Sequence, residues 1–426
     1  MVACAHVCVR RLAQGCWPAQ MRFWRFLANE RVTVDKLIEG WSEQTRPAAA
    51  GRHVLAIQDT SEIKFATTEE NRRGLGKIKK GNAFGVLLHP MIAVDADSGI
   101  VLGLAGGRVW TRSDEVKTPH AQRRLADKES ARWIATAEQA KDTLAAAHLI
   151  TIVDDREGDF YAHWALTPAA NVHLLTRLMN DHALLKGGTV RSALARLPLA
   201  ATAVVALRDR ADRPARTAHL SVRFGTFLLK RPNNTLEKDL PTSLRVQAVE
   251  VVEQHPPKGV EPVHWILLTT HKIDSLAAAW QIVAWYRRRW IIEQFFRTLK
   301  RQGLRIEDSQ LASPERLLKM VAIAAKAGAI VMQLVQARDG HDPQPASLAF
   351  TDDEIKVIAI LNARLQGSTQ RQKNPHPDNT LAWAAWVIAK LGGWHEYEAK
   401  PPGPITFFNG LARFRAFAEG WAAKNV

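Results

Sequence analysis

One carboxylate stands in a row of cations. In WQIVAWYRRRWIIEQFFRTLK, residues 280–300, Tyr286, Arg289, Glu293, Arg297 and Lys300 recur at offsets of three, four, four and three. At about 100° per residue they fall on one narrow stripe of a helix. Trp285, Ile292, Phe296 and Leu299 form a neighbouring apolar stripe that would pack on a core. A solvated face with ordinary ion pairs between neighbouring turns has the same look. A lone Glu among three cations and a phenol, at the edge of a buried face, also suits a phosphate held beside a metal ion. The segment has no Pro or Gly, Asp274 and Ser275 precede it as N-cap candidates, and Gly303 follows as a stop. The spacing therefore predicts one long helix.

Two further acids have a defined place. Asp59 lies within HVLAIQDTSEIKF, a β run in which it could equally be a turn residue. HLITIVDDREGDFYAHW reads as a buried strand ending in Asp154 and Asp155 and running into a helix. Carboxylates at the C-terminal end of a central strand lie in the crevice where α/β sheets hold their chemistry. Together with Glu293, Asp59 and Asp155 could hold a pair of divalent ions. Mg²⁺ takes few carboxylates and keeps waters, which leaves room for a phosphate. Two such ions can activate an attacking oxygen and stabilise a leaving one.

The elements that must position these residues follow in order. Residues 1 to about 50 predict two short helices (MRFWRFLANERVTVDKLIEGW) and a polar, Ala-rich linker, SEQTRPAAAG. Arg22, Trp24 and Arg25 there could touch DNA or belong to a helical lid. VLLHPMIAVDADSGIVLGLAGGRVW predicts a hairpin turning at Asp97-Ser98-Gly99. KESARWIATAEQAKDTLAA has helical periodicity, and NVHLLTRL is a strand carrying Arg177. The stretch from about 180 to 263 is β-rich and reads as an insertion, after which HWILLTTHK returns to the core. Ser313-Pro314-Glu315 opens another helix, and a Thr351–Glu354 capping pattern opens a helical tail whose tryptophans are core or interface. The expected domains are residues 1–50, a core over 51–338 and a helical module over 339–426.

Composition narrows the class. The chain has 426 residues, 46% of them hydrophobic, and 58 Lys and Arg against 42 Asp and Glu give a net charge of +16. That sign favours a polyanionic partner. No apolar run is expected to approach the roughly 20 residues of a membrane span, so no membrane role is expected. Cys4, Cys8 and Cys16 are confined to the first residues, which points to the reducing cytosol rather than a disulfide-stapled secreted protein. With His6 they match no standard zinc-finger spacing.

The series Tyr286-x2-Arg289-x3-Glu293-x6-Lys300 resembles the Y-R-E-K signature of the cut-and-paste DDE transposases of the insertion-sequence-4 group. Gln58-Asp59-Thr60 resembles that family's first-aspartate motif and Asp155-Arg156-Glu157-Gly158-Asp159 its second. KESARW, PPKG…WILLTT and the LGG…GW tail follow the pattern as well. The resemblance implies an α/β fold with a ribonuclease-H-like catalytic core, a β-rich insertion and a helical C-terminal module. It implies Asp59, Asp155 and Glu293 as ligands of two Mg²⁺ or Mn²⁺ ions, cutting double-stranded transposon ends through hairpins and joining them to target DNA. Tyr286, Arg289, Arg297, Lys300 and Arg177 would grip phosphates, and Trp265 would stack on a base flipped out of the duplex. A homodimer in a bacterial cytoplasm is implied too. The match begins near Met21, whereas relatives carry a longer end-binding domain, so a shortened end-binding segment is expected. An inactive or truncated DNA-binding protein is the alternative.

Overall fold

The computed structural model describes residues 7–13, 15–67, 71–78, 83–113, 118–119, 122–207, 215–395 and 400–424. Its strands are β1 (His53–Gln58), β2 (Ser61–Lys64), β3 (Gly85–Asp95), β4 (Val101–Trp110), β5 (Leu149–Val153), β6 (Val172–Arg177), β7 (Ala201–Leu207), β8 (Arg216–Lys230), β9 (Ser243–Gln254) and β10 (His264–Thr269). All ten join one sheet.

Half of that sheet is the ribonuclease-H-like core. β3 pairs antiparallel with β4 on one side and with β1 and then β2 on the other. β1, β5 and β6 run parallel. Every residue of β3 is buried, the pattern of a strand covered on both faces. The helices Ala131–Thr143 and Pro314–Ala337 pack on β3 and β4. The expected turn closes the β3–β4 hairpin. Asp95 Oδ1 accepts from the backbone N–H of Asp97 and Ser98 (3.1 and 2.8 Å), and Gly99 takes a positive φ of 80°. Beyond β6 the sheet continues antiparallel through β10, β9, β8 and β7, so the β-rich stretch extends the core sheet.

Three expectations need correction. The predicted linker is packed structure: Thr45–Ala48 is a helical turn, Thr45 Oγ1 donates to the Leu104 carbonyl (3.0 Å), and Ala49 is fully buried. The single helix over 280–300 is two, Leu276–Arg287 and Trp290–Lys300. Over Arg288–Ile292 the backbone bonds tighten from four residues back to three, and Arg288 donates to the carbonyls of Asp95, Ala96 and Asp97. The break is thus fastened to the β3–β4 turn. Finally, Pro314–Ala337 is long and apolar enough, by length and composition, to cross a membrane. Its packing accounts for that character, since most of its apolar window is buried here. Lys319 on it donates to the carbonyls of Leu27 and Asn29 (3.1 and 2.9 Å).

The N-terminal helices Trp17–Ala28 and Val34–Glu39 pack on that same helix, with Trp41 Nε1 donating to the Ala322 carbonyl (2.9 Å). Trp24 is half-buried under Arg316, whereas Arg22 and Arg25 are exposed. Cys8 is half-buried and Cys16 exposed, while Cys4 and His6 lie outside the described residues. In the tail, the Thr351–Glu354 capping box opens the helix Asp352–Leu365, and Trp383 and Trp386 of Leu381–Leu391 are core residues.

Candidate active site

Two adjacent parallel strands deliver the first two acids to the same level. Ile57 of β1 pairs with Val153 of β5. Continued two residues past each partner, that register sets Asp59 beside Asp155, and Gln58 beside Asp154 on the opposite side. Asp59 falls where β1 stops and β2 begins. Opposite it, continuing the Gln58–Met91 and Ser61–Leu88 pairs, stands Pro90, which has no N–H for a ladder bond.

The two neighbouring acids of the second motif have structural partners. Asp154 is fully buried with His163 Nε2 at 2.7 Å, and burial pushes its carboxyl up. Gly158 packs so close that a Cβ there would stand 2.6 Å from the Asp154 Cβ. Asp159 is also buried. It accepts from Trp164 Nε1 (3.0 Å) and the Met179 N–H (2.7 Å), with His182 Nε2 at 2.7 Å. It therefore ties down the exit from β6. Asp155 remains half-buried, and its charge acts on Asp59.

Glu293 arrives from the helix Trp290–Lys300. Arg289, in the tightened turn one helical turn earlier, places Nη1 3.2 Å from Asp59 Oδ2 and Nη2 3.3 Å from Glu293 Oε1. Burial pushes the Asp59 carboxyl up to about 7, helped by the Asp155 charge, while Arg289 and the Thr60 N–H pull the other way. Burial also opposes the Arg289 charge, but the acidic groups around it, Asp59, Asp155 and Glu293 among them, outweigh it and keep the guanidinium protonated.

The remaining predicted residues divide. Tyr286 is buried, its phenol pushed up to about 12 by burial, and the Trp265 ring meets it edge-on at 5.8 Å. Arg177, on β6, donates to the His264 carbonyl at 3.0 Å, and burial with the charges of Arg156 and Arg289 lowers its pKa. These three join the Arg289 cluster. Lys300 lies one strand further out, where Nζ donates to the Glu62 carbonyl, and Arg297 is exposed.

Sequence reasoning missed a polar layer behind the acids. Thr60 Oγ1 accepts from Arg132 Nε (2.9 Å) and meets His89 Nδ1 (2.8 Å); His89 Nε2 meets Gln58 Oε1 (3.0 Å), and Gln58 Nε2 donates to the Trp133 carbonyl (3.2 Å). Burial holds His89 well below the usual imidazole range, so it is neutral. The signal was an arginine on the inward stripe of a helix: Arg132, Thr136 and Ala140 follow at four-residue spacing, and all three are buried.

Among the described residues, no group of three His, Cys, Asp or Glu is gathered tightly enough to hold a metal ion. The donors nonetheless fit a hard divalent ion in kind, being carboxylate oxygens alone. Asp59 and Glu293 already share one cation, the Arg289 guanidinium. A divalent ion beside Asp59 would be favoured for the reason its proton is, offsetting burial and the Asp155 charge.

Residues 51–330 match the family described as the transposase DDE domain, a span that includes all three acids. The chain also shows a weak likeness to a piggyBac transposase, solved as a synaptic complex with hairpin DNA, at 8% identity and a TM-score of 0.36. That likeness covers 69% of this chain and 49% of the other, so the chain spans about half that protein's length. The family match takes in well over half of the 426 residues, and the chain belongs to the transposase DDE domain family.

Proposed function

We propose that this protein is a transposase that cuts transposon DNA ends and transfers the freed strands to target DNA. The observation that carries the reading is the Arg289 guanidinium bridging Asp59 and Glu293, with Asp155 acting on Asp59. Acids from three separate stretches of chain thereby share one electrostatic site at the ends of parallel strands. Asp59, Asp155 and Glu293 would hold Mg²⁺ or Mn²⁺, as two ions. Bound there, the ions would polarise the scissile phosphate and make a water or a 3′-hydroxyl nucleophilic near neutral pH.

The chain's own residues do the rest. Arg289, Arg177 and Lys300 place fixed positive charge around the acids, and guanidinium and ammonium groups bind phosphate oxygens. Arg297, exposed on the outer turn, meets the duplex backbone beyond the cut. Tyr286 stays protonated at working pH and can donate to a phosphate oxygen. Trp265, already edge-on to Tyr286, offers a face to a base turned out of the duplex, the step that hairpin formation demands. The chain's resemblance to the insertion-sequence-4 signature supports that hairpin route, as well as a homodimer pairing two ends. The +16 charge supplies non-specific attraction to DNA.

The test is a supercoiled plasmid carrying the element's ends, incubated with the protein and Mg²⁺. Nicked products and hairpin ends are expected, and Asp155→Ala should remove both. DNA binding without cleavage by the wild-type protein would instead favour a DNA-binding, inhibitory role. Equal cleavage by Asp155→Ala would overturn the site.

A further inference from the structure

We infer that Arg132 is the positioning residue that sets the separation of the two aspartates, an inference that rests on the DDE reading above. Four hydrogen bonds join one carboxylate to the other through this side chain. The Thr60 N–H donates to Asp59 Oδ1 at 2.7 Å, and Arg132 Nε donates to Thr60 Oγ1 at 2.9 Å. Arg132 Nη2 donates to Glu157 Oε2 at 2.8 Å, and the Glu157 N–H donates to Asp155 Oδ1 at 2.7 Å. Thr60 and Glu157, the two side chains that Arg132 bonds, thus each hydrogen-bond an aspartate through their own backbone N–H.

The geometry suits a guanidinium and no other side chain. Nε and Nη2 are fixed in one plane by covalent structure, so a single group sets the spacing of both partners. A lysine ammonium is a point charge on a flexible stem and fixes no such pair. The remaining nitrogen, Nη1, donates to the Glu129 carbonyl at 2.9 Å, which pins the guanidinium to the start of its own helix. Trp133 and Trp110 lie 5.4 and 5.9 Å from the guanidinium carbon, and the residue is only 7% exposed. Thr60 is braced from its other side by His89, itself held by Gln58. Because the Thr60 hydroxyl accepts from Arg132, its proton goes to His89 Nδ1, which leaves His89 Nε2–H to donate to Gln58. One connected layer therefore stands behind both carboxylates.

Such outer partners of metal ligands are worth about ten- to a hundred-fold in metal affinity or activity. For Arg132→Gln we expect a loss of that size in kcat for plasmid nicking and in the affinity for Mn²⁺ measured by calorimetry without DNA. The KM for DNA should not move, because Arg132 reaches no exposed DNA surface. Glu157→Ala provides the control for folding: its side chain is 62% exposed, so its melting temperature should hold while both losses appear in weaker form. Glu157→Gln keeps an acceptor oxygen and should recover most of what Glu157→Ala loses. Wild-type Mn²⁺ affinity and kcat in Arg132→Gln and Glu157→Ala would overturn the strut and leave the DDE reading intact. If Arg132→Gln fails to fold, Glu157→Ala decides in the same way. A wild-type protein that neither binds Mn²⁺ nor nicks would overturn the DDE reading itself, and the strut with it.

Discussion

Two polar clusters lie along the same broken helix and are built from different partners. Around Trp285, near the end of Leu276–Arg287, three histidines gather. His173 stacks on His271 at 3.9 Å, and His53 meets Trp285 edge-on at 4.6 Å. Their partners are hydroxyls: Thr151 Oγ1 stands 2.8 Å from His53 Nε2 and 2.7 Å from His271 Nε2, and Thr270 Oγ1 lies 3.1 Å from His173 Nδ1. Burial pushes His53 down to about 4 and His271 to about 3, and lowers His173 as well. These rings discard their charge, and the cluster behaves as core. Around Glu293, a few residues further along, a guanidinium bridges Asp59 and Glu293, and the Asp155 charge acts on Asp59. Stability alone would not assemble like charges in this way. That grouping is what the proposed reaction would use.

Substitutions can break or sharpen this contrast. The largest effect should come from Glu293→Gln, which is expected to lower nicking by roughly a thousand-fold, the scale of losing a charge partner of the transition state. Its melting temperature should stay within a few degrees of wild type; a large drop would make the acid cluster structural like the histidines. Trp265→Ala comes next. Stacking on a displaced base is worth roughly 1–3 kcal/mol, so hairpin formation should slow by about five- to a hundred-fold while first-strand nicking persists. Unchanged hairpin yield would remove Trp265 from the reaction. Lys300→Ala should weaken DNA binding and lower the slope of log affinity against log salt by about one, and an unchanged slope would deny it a phosphate contact.

The smallest effects are in stability against pH, and the two clusters should pull in opposite directions. The folded histidines lie below the ordinary 6.5, so the unfolded chain takes up protons first as pH falls. Their contribution is full above about 6.5 and is lost on acidification towards 4. Asp59 lies above its ordinary 3.8, so the folded state holds its proton more tightly. Its contribution is full below about 4 and is lost as pH rises through 7. Thermal melts of Asp59→Asn in chelator should therefore exceed wild type by a few degrees at pH 8 and converge with it near pH 4. The His271→Asn variant should flatten the acid limb while nicking per folded molecule is retained.

Local signals made much of the fold legible. Apolar alternation and runs gave the strands, Asp97-Ser98-Gly99 the hairpin, and Thr351 with Glu354 a helix start, because each is written in adjacent residues. Tertiary events were not legible. Nothing within 280–300 announces a break at Arg288, since its cause is a set of carbonyls on the β3–β4 turn. Residues 42–51 read as a polar linker because Ala and Thr carry little apolar signal, although the Leu104 carbonyl holds Thr45. At the site, the acids were visible as residue types, and the choice between Asp154 and Asp155 becomes physical only through the register of β5 on β1. Arg289 read as a phosphate clamp, and its engagement with two carboxylates appears only once strand and helix meet. Arg132 left only its place on the inward stripe of its helix as a signal, and its role appears only once its partners are known.

The central claim is that Asp59, Asp155 and Glu293 act together as one divalent-ion site. Calorimetric titration of Mn²⁺ into the DNA-free protein tests it most directly, with Asp59→Asn, Asp155→Asn and Glu293→Gln measured beside wild type. The account predicts saturable binding by the wild type and a loss of about ten-fold or more in each variant. Wild-type affinity in any one of the three would contradict it.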